Sequence, residues 1–265
     1  MKKLSELQIN EIKKLSNIGL SLRSIQNLTN TSLSTIQYHV NRKSDRKRIK
    51  QIKLPSSDFV KGELIGAFAG DGSYFHDKSR RGGNHNIRFY LSYRDDKKYV
   101  EYLSSILKDM GLSVSLYTTK FMGKPSCLYI STRSVELLKF IQTDLCWEKP
   151  KTYSVRLRKD KEHSKDFLCG FARGLMDTDG FVESCSVACG SVSNELIEDL
   201  KDILFKIDIV PKITVKRRGG NQKDLYLLRI PSRYLKSYFE NIGFSNPRKN
   251  KRLIEILDKK KRKAF

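Results

Sequence analysis

Two aspartates draw attention because of where they fall. Asp71 and Asp179 stand near the ends of two glycine-interrupted apolar stretches, Leu64-Ile65-Gly66-Ala67-Phe68-Ala69-Gly70-Asp71-Gly72 and Ala172-Arg173-Gly174-Leu175-Met176-Asp177-Thr178-Asp179-Gly180. Both stretches read as helices, although glycine within a helix costs about 1 kcal/mol relative to alanine. Gly62, Gly66 and Gly70 nevertheless recur at every fourth position, as do Gly170 and Gly174. That spacing puts them on one stripe of each helix. A bare stripe lets two backbones approach more closely than side chains allow, so the helices are expected to pack together. A carboxylate in the last turn then faces unpaired carbonyls and the negative end of the helix dipole. Two such carboxylates on touching helices also repel each other. A divalent cation relieves these conflicts, with hard oxygen ligands from Asp71, Asp179 and the carbonyls of Gly70 and Thr178. Asp-Gly alone is a common turn. The same arrangement twice, glycine stripe included, is a specific signal.

The elements that must hold these residues form an internal repeat from about residue 56 onward. Each half reads α-β-β-α-β-β-α. The first helix ends at Asp-Gly, a strand pair follows, and an amphipathic helix comes next (about 97–110 and 194–207). A second strand pair turns at Gly123-Lys124-Pro125 and Gly219-Gly220-Asn221, and a further helix (about 134–145 and 232–241) leads into a basic segment. Ile87, Phe89, Leu91 and Tyr93 alternate with Asn86, Arg88, Tyr90, Ser92 and Arg94, and Ile213 and Val215 with Thr214, Lys216 and Arg218. This is the period of half-buried strands with one apolar and one polar, basic face. Such a face can lie along a nucleic acid groove, and Arg88, Arg94, Lys120, Lys216, Arg218 and Arg229 are the candidate readers, arginines for guanine and most lysines for phosphate. The loop from His76 to His85, with Arg80-Arg81-Gly82-Gly83, reads equally well as an outlying contact and as an exposed loop of no function.

The two motifs resemble those of the LAGLIDADG homing endonucleases, and the repeat spans nearly everything after residue 56. Asp71 and Asp179 match the acidic position just before the final glycine of that family's motif, and their separation suits a single-chain member with two motifs. The resemblance implies an α+β fold of two pseudo-symmetric αββαββα halves with saddle-shaped antiparallel sheets. It also implies Mg²⁺, or another divalent cation such as Mn²⁺, held between the two acids. Opposite strands of double-stranded DNA would be cut across the minor groove, leaving 3′ overhangs. The family tends to place a lysine near each active site. By position after the last helix of each half, Lys149 and Lys249 are candidates to join Asp71 and Asp179 as catalytic residues, with Lys120 and Lys216 as competitors. Ala69 departs from the pattern where an acid is frequent, whereas Asp177 retains it. Asp177-Thr178-Asp179-Gly180 is neither an aspartic-protease motif, since Thr178 is not followed by glycine, nor a calcium loop, whose glycine comes later.

Composition agrees with a polyanionic partner. The 265 residues carry a net charge of +23 and a pI of about 9.8, and the excess is spread along the chain. With 38% hydrophobic residues, the chain is expected to fold. Residues 1–43 read as three short helices: Gly19 stops the first, Ser21 caps the second, and Leu33, Ile36 and Val40 mark one face of the third. The stretch from Glu11 to Val40 looks like a resolvase-type helix-turn-helix presenting Ser34, Thr35, Gln37 and Tyr38 to a major groove. A basic linker, 44–55, includes Arg46-Lys47-Arg48, Lys50 and Lys53. The halves then run 56–149 and 164–265, joined by a charged connector, 150–163. Five cysteines without a CxxC pair fit reduced thiols. With no membrane-length apolar run and no signal peptide, the protein is expected inside the cell, in a cytoplasm or organelle matrix, as a monomer. Two alternatives share the fold: an RNA-splicing maturase and a DNA-binding regulator that does not cut. If a polyanion is the partner, binding to duplex DNA weakens steeply between about 50 and 200 mM salt. A salt-independent affinity in a gel-shift titration would remove that reading.

Overall fold

The computed structural model describes residues 4–41, 51–77, 84–220 and 222–263. The basic run from Arg42 to Lys50, the loop residues Arg80 to Gly83, and Asn221 lie outside these. The chain divides into two compact units, 1–51 and 52–265.

The first unit is three helices, α1 (Glu6–Asn17), α2 (Leu22–Thr29) and α3 (Leu33–Asn41). Ser5 and Gln8 form a reciprocal capping box on α1. Gly19 ends that segment with a left-handed φ of 86°, and Ser21 accepts a hydrogen bond from the Ser24 amide at the start of α2. Ile12, Ile25 and Ile36, one from each helix, are fully buried together. On α3, Ser34, Gln37 and Tyr38 are exposed, while the Thr35 hydroxyl hydrogen-bonds with that of Ser32.

The second unit repeats itself. Its first half runs α4 (Asp58–Asp71), β1 (Gly72–Asp77), β2 (Asn84–Ser92), α5 (Lys97–Asp109), β3 (Val114–Phe121), β4 (Lys124–Arg133) and α6 (Val135–Gln142). The second half runs α7 (Lys165–Thr178), β7 (Gly180–Val182), β8 (Val187–Ser191), α8 (Asn194–Phe205), β9 (Lys212–Lys216), β10 (Leu225–Ile230) and α9 (Leu235–Asn241). Between them β5 (Leu145–Cys146) pairs with β6 (Arg156–Leu157). Each half holds one antiparallel sheet, ordered β1-β2-β4-β3 and β7-β8-β10-β9. The register sets Phe89 against Ile130 on the core face of the first sheet, and Tyr90 against Tyr129 on the other. In the second sheet Leu228 pairs with buried Cys189, while Leu227 and exposed Thr214 share the opposite face.

Two segments differ from the sequence expectation. The basic stretch after α9 is a helix, α10 (Pro247–Lys263). Buried Leu253 and Ile256 give it a narrow apolar edge that a run of cations hides in the sequence. The charged connector 150–163 likewise holds a 3-10 turn, Lys151–Tyr153, and strand β6. Among the described residues no helix is long and apolar enough to cross a membrane.

Helices α4 and α7 meet backbone to backbone. A Cβ on Gly62 or Gly66 would collide with the carbonyl oxygens of Phe167 and Phe171, and one on Gly170 or Gly174 with those of Phe59 and Glu63. The contact is reciprocal, as the repeat requires. Replacing any of these four glycines with alanine should therefore cost at least about 1–3 kcal/mol, as overpacking does. Gly219→Ala, where an added Cβ meets nothing, should stay within about 0.5 kcal/mol of wild type. Denaturant midpoints read this directly, and equal losses at both kinds of site would refute the close seam.

Candidate metal centre at the paired helix ends

The glycine contact brings the two helix ends together. Asp71 is the last residue of α4, and Asp179 follows the last residue of α7. A Cβ on Gly70 would press on the Thr178 hydroxyl and lie 3.2 Å from the Asp179 carboxyl carbon, so the absence of a side chain there makes room for Asp179. Burial pushes the Asp71 carboxyl up to about 7, the Asp179 charge adds to the rise, and the Lys249 and Lys151 ammoniums oppose it. Burial raises Asp179 to about 6, against the same two lysines. Among the described residues neither carboxylate makes an ion pair within 4.0 Å.

Each lysine instead caps a helix. Lys151 Nζ donates to the carbonyls of Phe68, Ala69 and Gly70 at 2.7, 2.7 and 3.0 Å. Lys249 Nζ donates to those of Met176, Asp177 and Thr178 at 3.1, 2.6 and 3.0 Å. The repeat makes these the same three positions. An ammonium set on the last carbonyls satisfies orphan acceptors and offsets the negative helix end. Burial holds Lys151 down to about 8 and lowers Lys249 as well, while the acids pull both the other way.

Lys249 is thus where the sequence anticipated a lysine, but Lys149 is exposed, and Lys151 takes the corresponding place. Counting from the last helix misplaced it by two residues. Each lysine closely follows a proline, Lys151 by one residue after Pro150 and Lys249 by two after Pro247, so the prolines mark the segments but not a common offset. Lys120 and Lys216 are exposed on β3 and β9, with no such contact among the described residues. The carbonyls of Gly70 and Thr178, expected as metal oxygens, each accept a lysine and keep one lone pair. Asp177 is buried, and its carboxylate accepts from the Ser245 and Asn246 amides at 3.0 and 2.9 Å. It secures the start of α10.

The candidate readers separate. Arg88 lies on the outer face of the first sheet, donating to the Tyr90 hydroxyl at 3.2 Å with its guanidinium 5.3 Å from the Tyr129 ring centre. Rings of Tyr117, Tyr129 and Tyr90 follow one another across β3, β4 and β2 at 5.2 and 5.1 Å, a row that alternation alone did not reveal. Arg94 belongs to the turn between β2 and α5, not to a strand. Arg218 lies beyond the end of β9, its backbone amide on the Asp224 carboxylate. Arg229 donates to both oxygens of Glu183, at 3.1 and 3.2 Å, so its fork is already engaged.

Two carboxylates flanked by helix-end carbonyls form a hard-oxygen donor set suited to Mg²⁺ or Mn²⁺. Among the described residues no group of three or more His, Cys, Asp or Glu could hold a metal alone. Two helices with touching glycine stripes, each with an acid at its C-terminal end and followed by a four-stranded antiparallel sheet, give the chain the fold of the LAGLIDADG endonucleases. Residues 166–243 match the family model of the LAGLIDADG-like domain. The structure of the homing endonuclease I-DmoI in complex with DNA and Ca aligns with a TM-score of 0.56 at 13% identity, over 75% of this chain and 98% of that one. Full-length WhiA from Thermatoga maritima aligns with 0.52 at 18% identity, over 79% and 63%. An uncharacterized protein of Methanocaldococcus jannaschii is 25% identical over 97% of this chain and 98% of its own. A replication factor C small subunit of the same organism is 29% identical over 74% of this chain, which spans only 10% of that protein's length.

The raised carboxyls have a measurable consequence. Burial lifts Asp71 to about 7 and Asp179 to about 6 from an ordinary 3.8, and it raises Asp177 as well. Their contribution to stability is whole below about pH 4 and is lost as pH climbs through 6 to 7. Without divalent ions, the double variant Asp71→Asn, Asp179→Asn should therefore melt higher than wild type at pH 8, and the gap should shrink toward pH 5. A gap that widens on acidification would contradict the buried-charge picture.

Proposed function

We propose that the chain is a metal-dependent, site-specific endonuclease of the homing type, acting as a monomer on double-stranded DNA. The observation that carries this reading is the pair of carboxylates at touching helix ends, both raised by burial, Asp71 also by the charge of Asp179, and lacking an ion-paired cation among the described residues. The basic charge, the polar sheet faces and the likeness to a homing endonuclease solved with DNA and with Mn or Ca support it. A match confined to a tenth of a replication protein suits a module that moves between hosts.

In this reading Asp71 and Asp179 hold Mg²⁺ or Mn²⁺, which when bound supplies Lewis acidity to an attacking water and a leaving oxygen. Asp71 and Asp179 would hold the ion with hard oxygens, and phosphate oxygens are ligands of the same kind, so cation and DNA should strengthen each other's binding. Both acids must first lose their protons, which makes cation affinity rise with pH. Lys151 and Lys249 fix the helix ends carrying the acids and set positive charge beside the phosphate. The face bearing Arg88 and the tyrosine row, with exposed Lys216 on the second sheet, reads base edges and phosphates. Ser34, Thr35, Gln37 and Tyr38 of α3 add a major-groove contact in the manner of a helix-turn-helix. Cuts on opposite strands across the minor groove leave 3′ overhangs.

A second reading is a DNA-binding protein of the same fold that does not cut, since the fold is shared with a protein not described as an endonuclease, WhiA. One experiment separates the two. A library of plasmids with randomised inserts is incubated with protein and Mg²⁺, and linearised molecules are recovered. Site-specific linearisation is expected, reduced at least about 10³-fold in Asp71→Asn and in Asp179→Asn, with binding in Ca²⁺ retained within about tenfold. Tight binding with no linearisation by the wild type would favour the regulator.

A further inference from the structure

Each helix-capping lysine is delivered by a segment that the opposite half grips. Lys249 lies in the first turn of α10, in the second half. Three residues earlier Asn246, fully buried, donates from its side-chain amide to Asp96 Oδ1 at 2.7 Å, and Arg248 donates to the same oxygen at 3.2 Å. Asp96 is the N-cap residue of α5, in the first half, yet it makes no side-chain cap hydrogen bond to its own helix. An aspartate at that position ordinarily accepts from the first-turn amides. Here the carboxylate is turned across the seam.

The other limb uses the corresponding position in a different way, since Ser193 both caps its own helix, accepting from the Leu196 amide, and donates across the seam. Lys151 opens a 3-10 turn whose carbonyl accepts from the Val155 amide at 3.0 Å. The Val155 carbonyl accepts at 2.8 Å from the hydroxyl of Ser193, the N-cap residue of α8 in the second half, and the Leu157 amide donates to Asp199 of α8 at 2.7 Å. The amphipathic helix of the first half therefore meets the lysine-bearing segment of the second at its N-cap, and that of the second half meets the Lys151-bearing connector through its N-cap residue and Asp199.

We infer that Asp96 and Ser193 are positioning residues that act across the seam, Asp96 holding the segment that delivers Lys249 to the end of α7, and Ser193 the segment that delivers Lys151 to the end of α4. Neither touches the reacting atoms. Their catalytic consequence rests on the endonuclease reading: damage to one grip loosens one helix end and spares the other. The grip itself does not rest on that reading.

The test uses the full chain, without DNA, exposed briefly to an amine-acylating reagent, with each lysine followed by peptide mass spectrometry. Asp96→Ala should raise the acylation rate of Lys249 about tenfold and leave Lys151 within about twofold. Ser193→Ala should do the reverse. Asp96→Asn, whose amide oxygen still accepts from Asn246, should restore Lys249 close to wild-type protection, which a general structural defect would not. If Asp96→Ala fails to fold, the Ser193→Ala limb decides. Equal exposure of both lysines in either variant, or none, overturns the inference. On a selected target plasmid, Asp96→Ala should slow one strand on the order of 10–100-fold and accumulate nicked circles. Equal slowing of both strands counts against the crossed grip, whereas a wild type that cuts nothing counts against the endonuclease reading and leaves the labelling result standing.

Discussion

The contact between α4 and α7 governs everything else in the larger unit. Four glycines let the two backbones meet where any side chain would strike a carbonyl oxygen. Only this spacing carries the final turns, and hence Asp71 and Asp179, into one another's field. The same close approach excludes water, and loss of hydration lifts both carboxyls far above their ordinary range. The helix interior gives up local propensity at each glycine and recovers it through a seam that joins the two halves into one unit.

That seam leaves six helix-end carbonyls in a poorly hydrated place, and two lysines satisfy them three apiece. The arrangement places cations beside the acids without quenching them in direct ion pairs. A carboxylate bound by an ammonium would be a weaker ligand for a metal. One engaged only at a distance keeps its oxygens available. The buried carboxylate of Asp177 serves a different purpose: it receives two backbone amides and ties the start of α10, and so Lys249, to the helix it caps.

Much of this was legible in the sequence because it follows from periodicity. Glycines every fourth residue predicted the helix contact, alternation in 86–94 predicted the sheet faces, and the repeat predicted the order of elements. What escaped has physical reasons. Helix α10 hides its narrow apolar edge among cations, so a charge run concealed an amphipathic pattern. Lys151 was missed because its place is set by a turn after Pro150, not by distance from α6. The Glu183 fork on Arg229 joins residues 46 positions apart and leaves no local trace. The tyrosine row depends on register across three strands, which no single strand displays.

The two sheets are unequal in reach. The longest strand of the first, β4, has ten residues, and that of the second, β10, has six. At about 3.3 Å per residue these cover roughly 33 and 20 Å, close to a full turn of B-form duplex and little more than half a turn. A duplex lying along both would be inspected lopsidedly, with no requirement for palindromy. The two repeats, though built to one plan, are thus unequal surfaces, and nothing in the fold requires what lies against them to be two-fold symmetric.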